Sequence, residues 1–348
     1  VTSASQDANP VLAVAIRSGR VESWHRGAVA VMHGEELVAA VGDVQRPVYA
    51  RSATKPLQAL PFLERGLHTK LGLTAAEIAV MCASHEGSAR HTAAVASLLQ
   101  RGGLVESQLG CGPHAPFDGE TKRRLLQTGE RPNRLHNNCS GKHAGFLHLA
   151  QACGDALGDY LRPECRSQRE VAAAVAAMAG LTAPPAIGLD GCGAPTFMLP
   201  LAALAQAFCR LANPAGLPPV RMAACETILT AAGNEPVLVA GERRLCTALL
   251  RCWPGRVFAK NGAEGVYALG IAPDRSRSRW PQALGIAVKV DDGAERGYWP
   301  VVVEILRRLG LFGGDEVPAP LQAFHRVPLH NTQQLQVGEV RCEVAWPW

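Results

Sequence analysis

Apolar positions recur along this chain in two rhythms. Short apolar runs at 28–32 and 37–41, split by the polar segment His33–Glu36, read as two strands around a turn. Helical spacing appears at 57–67, 75–82, 92–99, 144–150, 171–178 and 222–229. Pro61 should kink the first of these, because proline has no N–H to give to a helix interior. Strand signals return at 266–271 and 283–290, and the arginine-serine segment between them predicts a hairpin. Loops are expected at 183–185, 213–219 and 317–320. Strands thus sit at the two ends of the chain and helices between them. That order predicts an α+β fold, an antiparallel β-sheet covered by helices, rather than a doubly wound parallel sheet. No linker, repeat or low-complexity stretch divides the chain, so one domain over 1–348 is expected.

Composition narrows the function classes. The 348 residues are 47% hydrophobic and 19% charged, an ordinary globular balance. The net charge of +5 is spread out, and Arg275, Arg277 and Arg279 alternate with serine as in a solvated turn. No nucleic-acid partner is expected from that distribution. No apolar run reaches the roughly 18 residues of a membrane span, and the first ten residues do not read as a signal peptide. The eleven cysteines include no Cys-x-x-Cys pair, which points to reduced thiols and a cytoplasmic location.

Two serine–lysine groupings carry the candidate chemistry. Ser52 and Lys55 stand three apart, which on a helix puts both on one face. A lysine with a lowered pKa can take the proton of a serine hydroxyl that is otherwise a weak nucleophile. Pro56 suits a first helical turn, so the helix should begin near Ser52, at the positive end of its dipole. Ser84, in Cys82-Ala-Ser-His-Glu-Gly, follows an apolar helix, and Lys260, in Lys-Asn-Gly-Ala-Glu-Gly, precedes a strand. The order Ser-x-x-Lys, serine, Lys-x-Gly also occurs in serine β-lactamases and penicillin-binding proteins. Each part alone has a plainer use as a helix cap, turn residue or surface lysine.

Two further segments are dense in polar groups. His136-Asn-Asn-Cys-Ser-Gly-Lys-His-Ala-Gly directly precedes an expected helix, and Leu189-Asp-Gly-Cys-Gly-Ala-Pro reads as a second Gly-rich turn before a helix. Cys139, His143 and Cys192 have the donor types that zinc prefers, although buried cysteines also serve as small hydrophobes. Asp190 is a candidate for holding a substrate ammonium, or else closes an Asx turn.

Together these segments resemble the asparaginase II family. The matching residues are Arg51-Ser-x-x-Lys-Pro-Leu-Gln-Ala, Cys82-Ala-Ser-His-Glu-Gly, Asn138-Cys-Ser-Gly-Lys-His, Leu189-Asp-Gly-Cys-Gly-Ala-Pro and Lys260-x-Gly-Ala-Glu-Gly, with Val21-Glu-Ser-x-His-Arg-Gly-Ala and Val337-Gly-Glu-Val at the ends. The resemblance implies a fold similar to serine β-lactamases and glutaminases, a homodimer, and two Ser–Lys pairs, Ser52 with Lys55 and Ser84 with Lys260. It also implies a metal site, usually zinc, on Cys139, Lys142 and Cys192, which leaves His143 as a pocket residue.

The activity expected on that basis is hydrolysis of L-asparagine through an acyl-enzyme. Ser52 would attack with Lys55 as base, while Ser84 and Lys260 relay protons, and the two serines could exchange roles. Arg51 and Asp190 would hold the substrate carboxylate and ammonium. Competing readings are a glutaminase or β-lactam-reactive enzyme, a catalytically silent amino-acid-binding protein, and a thiol enzyme using Cys139 with His143 or His136.

Overall fold

The computed structural model describes residues 9–274 and 280–346; the arginine-serine turn at Arg275, Arg277 and Arg279 lies outside them. Its strands are β1 (Val11–Arg17), β2 (Arg20–His33), β3 (Glu36–Val41), β4 (Pro47–Tyr49), β5 (Ala186–Leu189), β6 (Pro195–Pro200), β7 (Val257–Asn261), β8 (Val266–Ile271), β9 (Leu284–Val290), β10 (Val327–His330) and β11 (Gln336–Cys342). The main sheet runs in the order β10-β11-β1-β2-β9-β8-β7, with β3 also on β2, and β4-β6-β5 form a separate small sheet. Every pairing is antiparallel, including the expected hairpin of β8 with β9. The α+β fold with an antiparallel sheet under helices is therefore borne out.

Strand alternation sorts the sheet residues into two cores. On β2, Ala28, Ala30 and Met32 pack toward the large helical body, while Val29 and Val31 pack on the opposite face. On β7, Phe258 joins the helical body and Val257 and Ala259 the other core. The same alternation turns Lys260 toward the helical body. The small residues on that face let a helix lie close. A Cβ on Gly285 would stand 2.0 Å from Ala205 O, in the helix Leu201–Ala212. The opposite face is covered by the helix Glu295–Arg308, through Val301, Val302 and Ile305, and by Leu321 of Ala319–His325.

Helix Ala75–Met81 begins at a capping box: Thr74 Oγ1 accepts from Glu77 N and the Glu77 carboxylate accepts from Thr74 N. Such a cap is worth about 1 kcal/mol. Its far end delivers Cys82, Ala83 and Ser84.

Proline placement corrects three expectations. The segment 57–67 is not one kinked helix but three pieces, Lys55–Gln58, Leu60–Glu64 and Leu67–Lys70, with Pro56 and Pro61 each in a first turn. The loops expected at 213–219 and 317–320 end early, because Pro219 and Pro320 also occupy first turns, where a missing N–H costs nothing. All eleven cysteines are unpaired, and among the described residues no helix is long and apolar enough to cross a membrane.

Candidate active site

After β4 the chain turns through Arg51, whose φ of 51° lies in the left-handed region, into a 3-10 turn over Arg51–Thr54. An arginine there carries roughly 1–3 kcal/mol of backbone strain. Lys55 opens the α-helix and is almost wholly buried. Its amine reaches four groups: Ala83 O at 2.6 Å, Ser84 Oγ at 3.0 Å, Asn138 O at 3.3 Å and Cys139 Sγ at 3.2 Å.

Ser84 is held from the other side by Lys260. That amine lies 2.9 Å from Ser84 Oγ, 2.8 Å from Asn261 O and 2.9 Å from Asn261 Oδ1. Ser84 N is tied to Val239 O at 3.1 Å. Burial, followed by repulsion from Lys55, pushes the Lys260 pKa down to about 7. Three of the four expected catalytic residues thus converge on one hydroxyl.

Ser52 departs from the expected pairing. It is half-buried on the 3-10 turn, and among the described residues neither lysine amine donates to its hydroxyl. The cause is local. Ser52 precedes the α-helix that Lys55 begins, and the carbonyls of Ala83 and Asn138 draw the lysine stem inward.

Gly141 explains how the third segment arrives. A Cβ there would sit 2.1 Å from Val80 O, so the helix Ser140–Cys153 rests directly on Ala75–Met81. Asn138 and Cys139 are thereby set against Ala83 and Ser84, and His85 N donates to Asn138 O at 3.3 Å. The His85 ring accepts from Gly87 N at Nδ1, which leaves Nε2–H to donate to Ser140 Oγ at 2.9 Å.

The sulfur groups form an adjoining cluster. Lys142 Nζ is 3.2 Å from Cys192 Sγ. The hydrogen bond from Cys192 holds the Cys139 thiol well below its ordinary pKa despite burial, aided by Lys55 and Lys142, and the Cys192 thiol is pushed up by Cys139 and by burial. Cys139, Cys192 and Lys142 have the donor chemistry that could hold zinc. Among the described residues no group of three His, Cys, Asp or Glu side chains is arranged for a metal. His143 is elsewhere: its Nδ1 meets Tyr160 Oη at 2.6 Å and its buried Nε2 has no partner. His136 Nδ1 is engaged with Asn133 Oδ1 at 2.6 Å. Among the described residues no hydrogen bond joins either imidazole to Cys139, as the thiol-enzyme reading would require.

Arg51 and Asp190 meet each other. Arg51 Nε and Nη2 donate to Asp190 Oδ1 at 3.0 and 2.8 Å, and Gly191 N donates to the same oxygen. Burial raises the Asp190 pKa, but Lys142 and Arg51 outweigh it and keep the carboxylate ionised. Asp190 Oδ2 and Arg51 Nη1 take no part in these bonds. β4 leads into Arg51 and β5 into Asp190, and both strands pair with β6, so the turn after Leu189 runs into a strand and not into the expected helix, which starts only at Leu201.

Sequence reasoning missed Tyr160, the partner of His143, and Asn261, which occupies the open position of Lys-x-Gly. Neither carries a local signal for its role.

The family model described as L-asparaginase II matches residues 13–342. No curated protein matches the chain. Among solved structures, a β-lactamase from Mycobacterium bovis aligns at 18% identity and a TM-score of 0.39, over 81% of this chain and 94% of its own. A probable glutaminase from Bacillus subtilis, complexed with 6-diazo-5-oxo-L-norleucine, aligns at 14% identity and a TM-score of 0.37, over 82% and 83%. Both likenesses are distant, and the family assignment rests on the family model.

Proposed function

The chain belongs to the L-asparaginase II family, and from that premise we propose that it hydrolyses the side-chain amide of L-asparagine to L-aspartate and ammonia. The observation that carries this reading is a single hydroxyl, Ser84 Oγ, between two buried amines at 3.0 and 2.9 Å. As Ser84 Oγ attacks the carboxamide carbon, its proton passes to the neutral amine of Lys260. Lys55 Nζ donates to the same oxygen and steadies the charge that develops there. The C–N bond then breaks, and the leaving nitrogen takes the proton held by Lys260, with the Ser52 hydroxyl on the neighbouring turn as relay, so ammonia departs and the amine is neutral again. Water then attacks the ester and gives a proton to Lys260, and as the ester C–O bond breaks the lysine returns that proton to Ser84 Oγ and aspartate is freed.

Asp190 Oδ2 and Arg51 Nη1 lie outside the two bonds that join this ion pair, and they suit the ammonium and carboxylate of an amino acid. This favours an amino-acid substrate over a β-lactam. Parallel assays with asparagine, glutamine and a chromogenic β-lactam test the choice, and β-lactam turnover above that of asparagine would reject it. Ligand binding without ammonia release would instead favour the catalytically silent binding protein.

Assigning attack to Ser84 rather than Ser52 has its own test. Ser84→Ala should lower kcat about a thousandfold or more. Ser52→Ala should lower it about 10- to 100-fold, as the loss of a proton relay would. A trapped acyl group found on Ser52 by peptide mass spectrometry would reverse the assignment.

Cys139, Lys142 and Cys192 are proposed to hold zinc, with Lys142 binding as the free amine. Zinc there would supply a fixed positive charge beside the substrate. Chelation should remove about one zinc per chain and raise KM; metal loss with both kinetic constants unchanged would leave only bracing of the two turns. Eleven unpaired thiols suit a reducing, cytoplasmic compartment, and secretion of the native chain to an oxidising compartment would contradict it.

A further inference from the structure

We infer that Asn261 is a positioning residue that fixes the direction of proton transfer, by occupying both N–H bonds of Lys260 and leaving its lone pair for the Ser84 hydroxyl. This rests on the reading of Ser84 and Lys260 given above. A neutral amine has two N–H groups and one lone pair. Lys260 Nζ has three close partners: Asn261 O at 2.8 Å, Asn261 Oδ1 at 2.9 Å and Ser84 Oγ at 2.9 Å. Both Asn261 oxygens are carbonyls and can only accept. Once they take the two N–H groups, the remaining contact must run from Ser84 O–H to the nitrogen.

The orientation of the Asn261 amide has independent support. Cys246 Sγ donates to the same Oδ1 at 3.8 Å. Burial pushes the Cys246 thiol up, so it keeps the proton it donates. Asn261 ends β7, paired with Tyr267 on β8, and Gly262 N closes the following turn onto Val266 O. The carbonyl and the side chain of this residue are thus both free to turn toward the amine that precedes them. Burial acts most strongly on Lys260, followed by Lys55, Cys246, Cys139 and Glu295, and the buried Cys82 thiol and His85 ring also lie within its field; together they leave the amine readily neutral.

The test uses the full chain with asparagine as substrate, over a range of pH. Asn261→Asp sets a carboxylate against the amine and should move the rising limb of kcat upward by about one pH unit or more. At pH 7 its kcat should fall about tenfold, and above the moved limb it should return to within about threefold of the parent, with KM little changed. Asn261→Ala removes one acceptor and lets the amine donate to Ser84. Its kcat should fall about tenfold at every pH, with no upward movement of the limb. Asn261 is only half-buried, which gives the carboxylate access to water. Should the aspartate variant fail to fold, the alanine variant alone decides. An unmoved limb in Asn261→Asp, or an unchanged kcat in Asn261→Ala, overturns the positioning role. Wild-type turnover in Lys260→Ala strikes the underlying reading instead, and both ideas fall together.

Discussion

Lys55 and Lys260 approach the same oxygen from different surroundings. Lys55 has two carbonyls and the Cys139 sulfur as well as Ser84, whereas among the described residues Lys260 bonds to Asn261 and the hydroxyl. With its pKa pushed down to about 7, Lys260 is the amine able to act as a base near neutrality. The sign follows directly: below that value the amine is protonated and cannot accept, so kcat should rise with pH and level off above about 7. A pH–rate profile with asparagine checks this, and a rate that falls between pH 6 and 8 would contradict it. At this scale the sequence was legible in residue type and only partly in pairing. Ser84, Lys55 and Lys260 were recognisable from their motifs. That Lys55 serves Ser84 rather than Ser52 depends on carbonyls contributed by 83 and 138, which no local spacing encodes.

Between elements, one polar joint outside the site is centred on Glu304. Its carboxylate accepts from Arg307 at 2.9 and 2.8 Å, from Arg308 at 2.7 Å and from His325 at 3.0 Å, so it ties Glu295–Arg308 to Ala319–His325. Burial pushes its pKa up, but Arg307, His325 and Arg308 more than reverse this and hold it far below the usual carboxylate range. A depressed carboxyl stabilises the fold above its unfolded pKa of about 4.3 and loses that contribution as pH falls. Glu304→Gln should therefore cost about 1–3 kcal/mol at pH 7. The gap in melting temperature from the parent should narrow below about pH 4; a gap that widens in acid would refute the assignment. The helix carrying Glu304 was not legible because Pro300 lies inside it, and proline reads as a breaker. The helix centres at 92–99 and 171–178 were legible because each buries one face, and 144–150 because its run is apolar and buried all round. β1, β10 and β11 depend on pairing of the chain ends, as in Ala13 with Cys342, which local pattern cannot reveal.

For the whole molecule, the ends-and-middle distribution of strands was enough to indicate the main antiparallel sheet. It gave no sign of the small one, whose β5 is only four residues long. The homodimer implied by the resemblance belongs to this scale. Light scattering should give about twice the 36.9 kDa of one chain, and a concentration-independent monomer would exclude it. The small sheet also bears on how this catalyst could be altered. Arg51 leaves β4 and Asp190 leaves β5, and both strands are measured off the same central strand, β6. One ruler therefore sets the spacing of the groups that would grip the two ends of a substrate. Substitutions at 49–52 and at 189–192 should be strongly non-additive, and redesign for a longer or shorter amide must treat the two turns and their shared strand as one block.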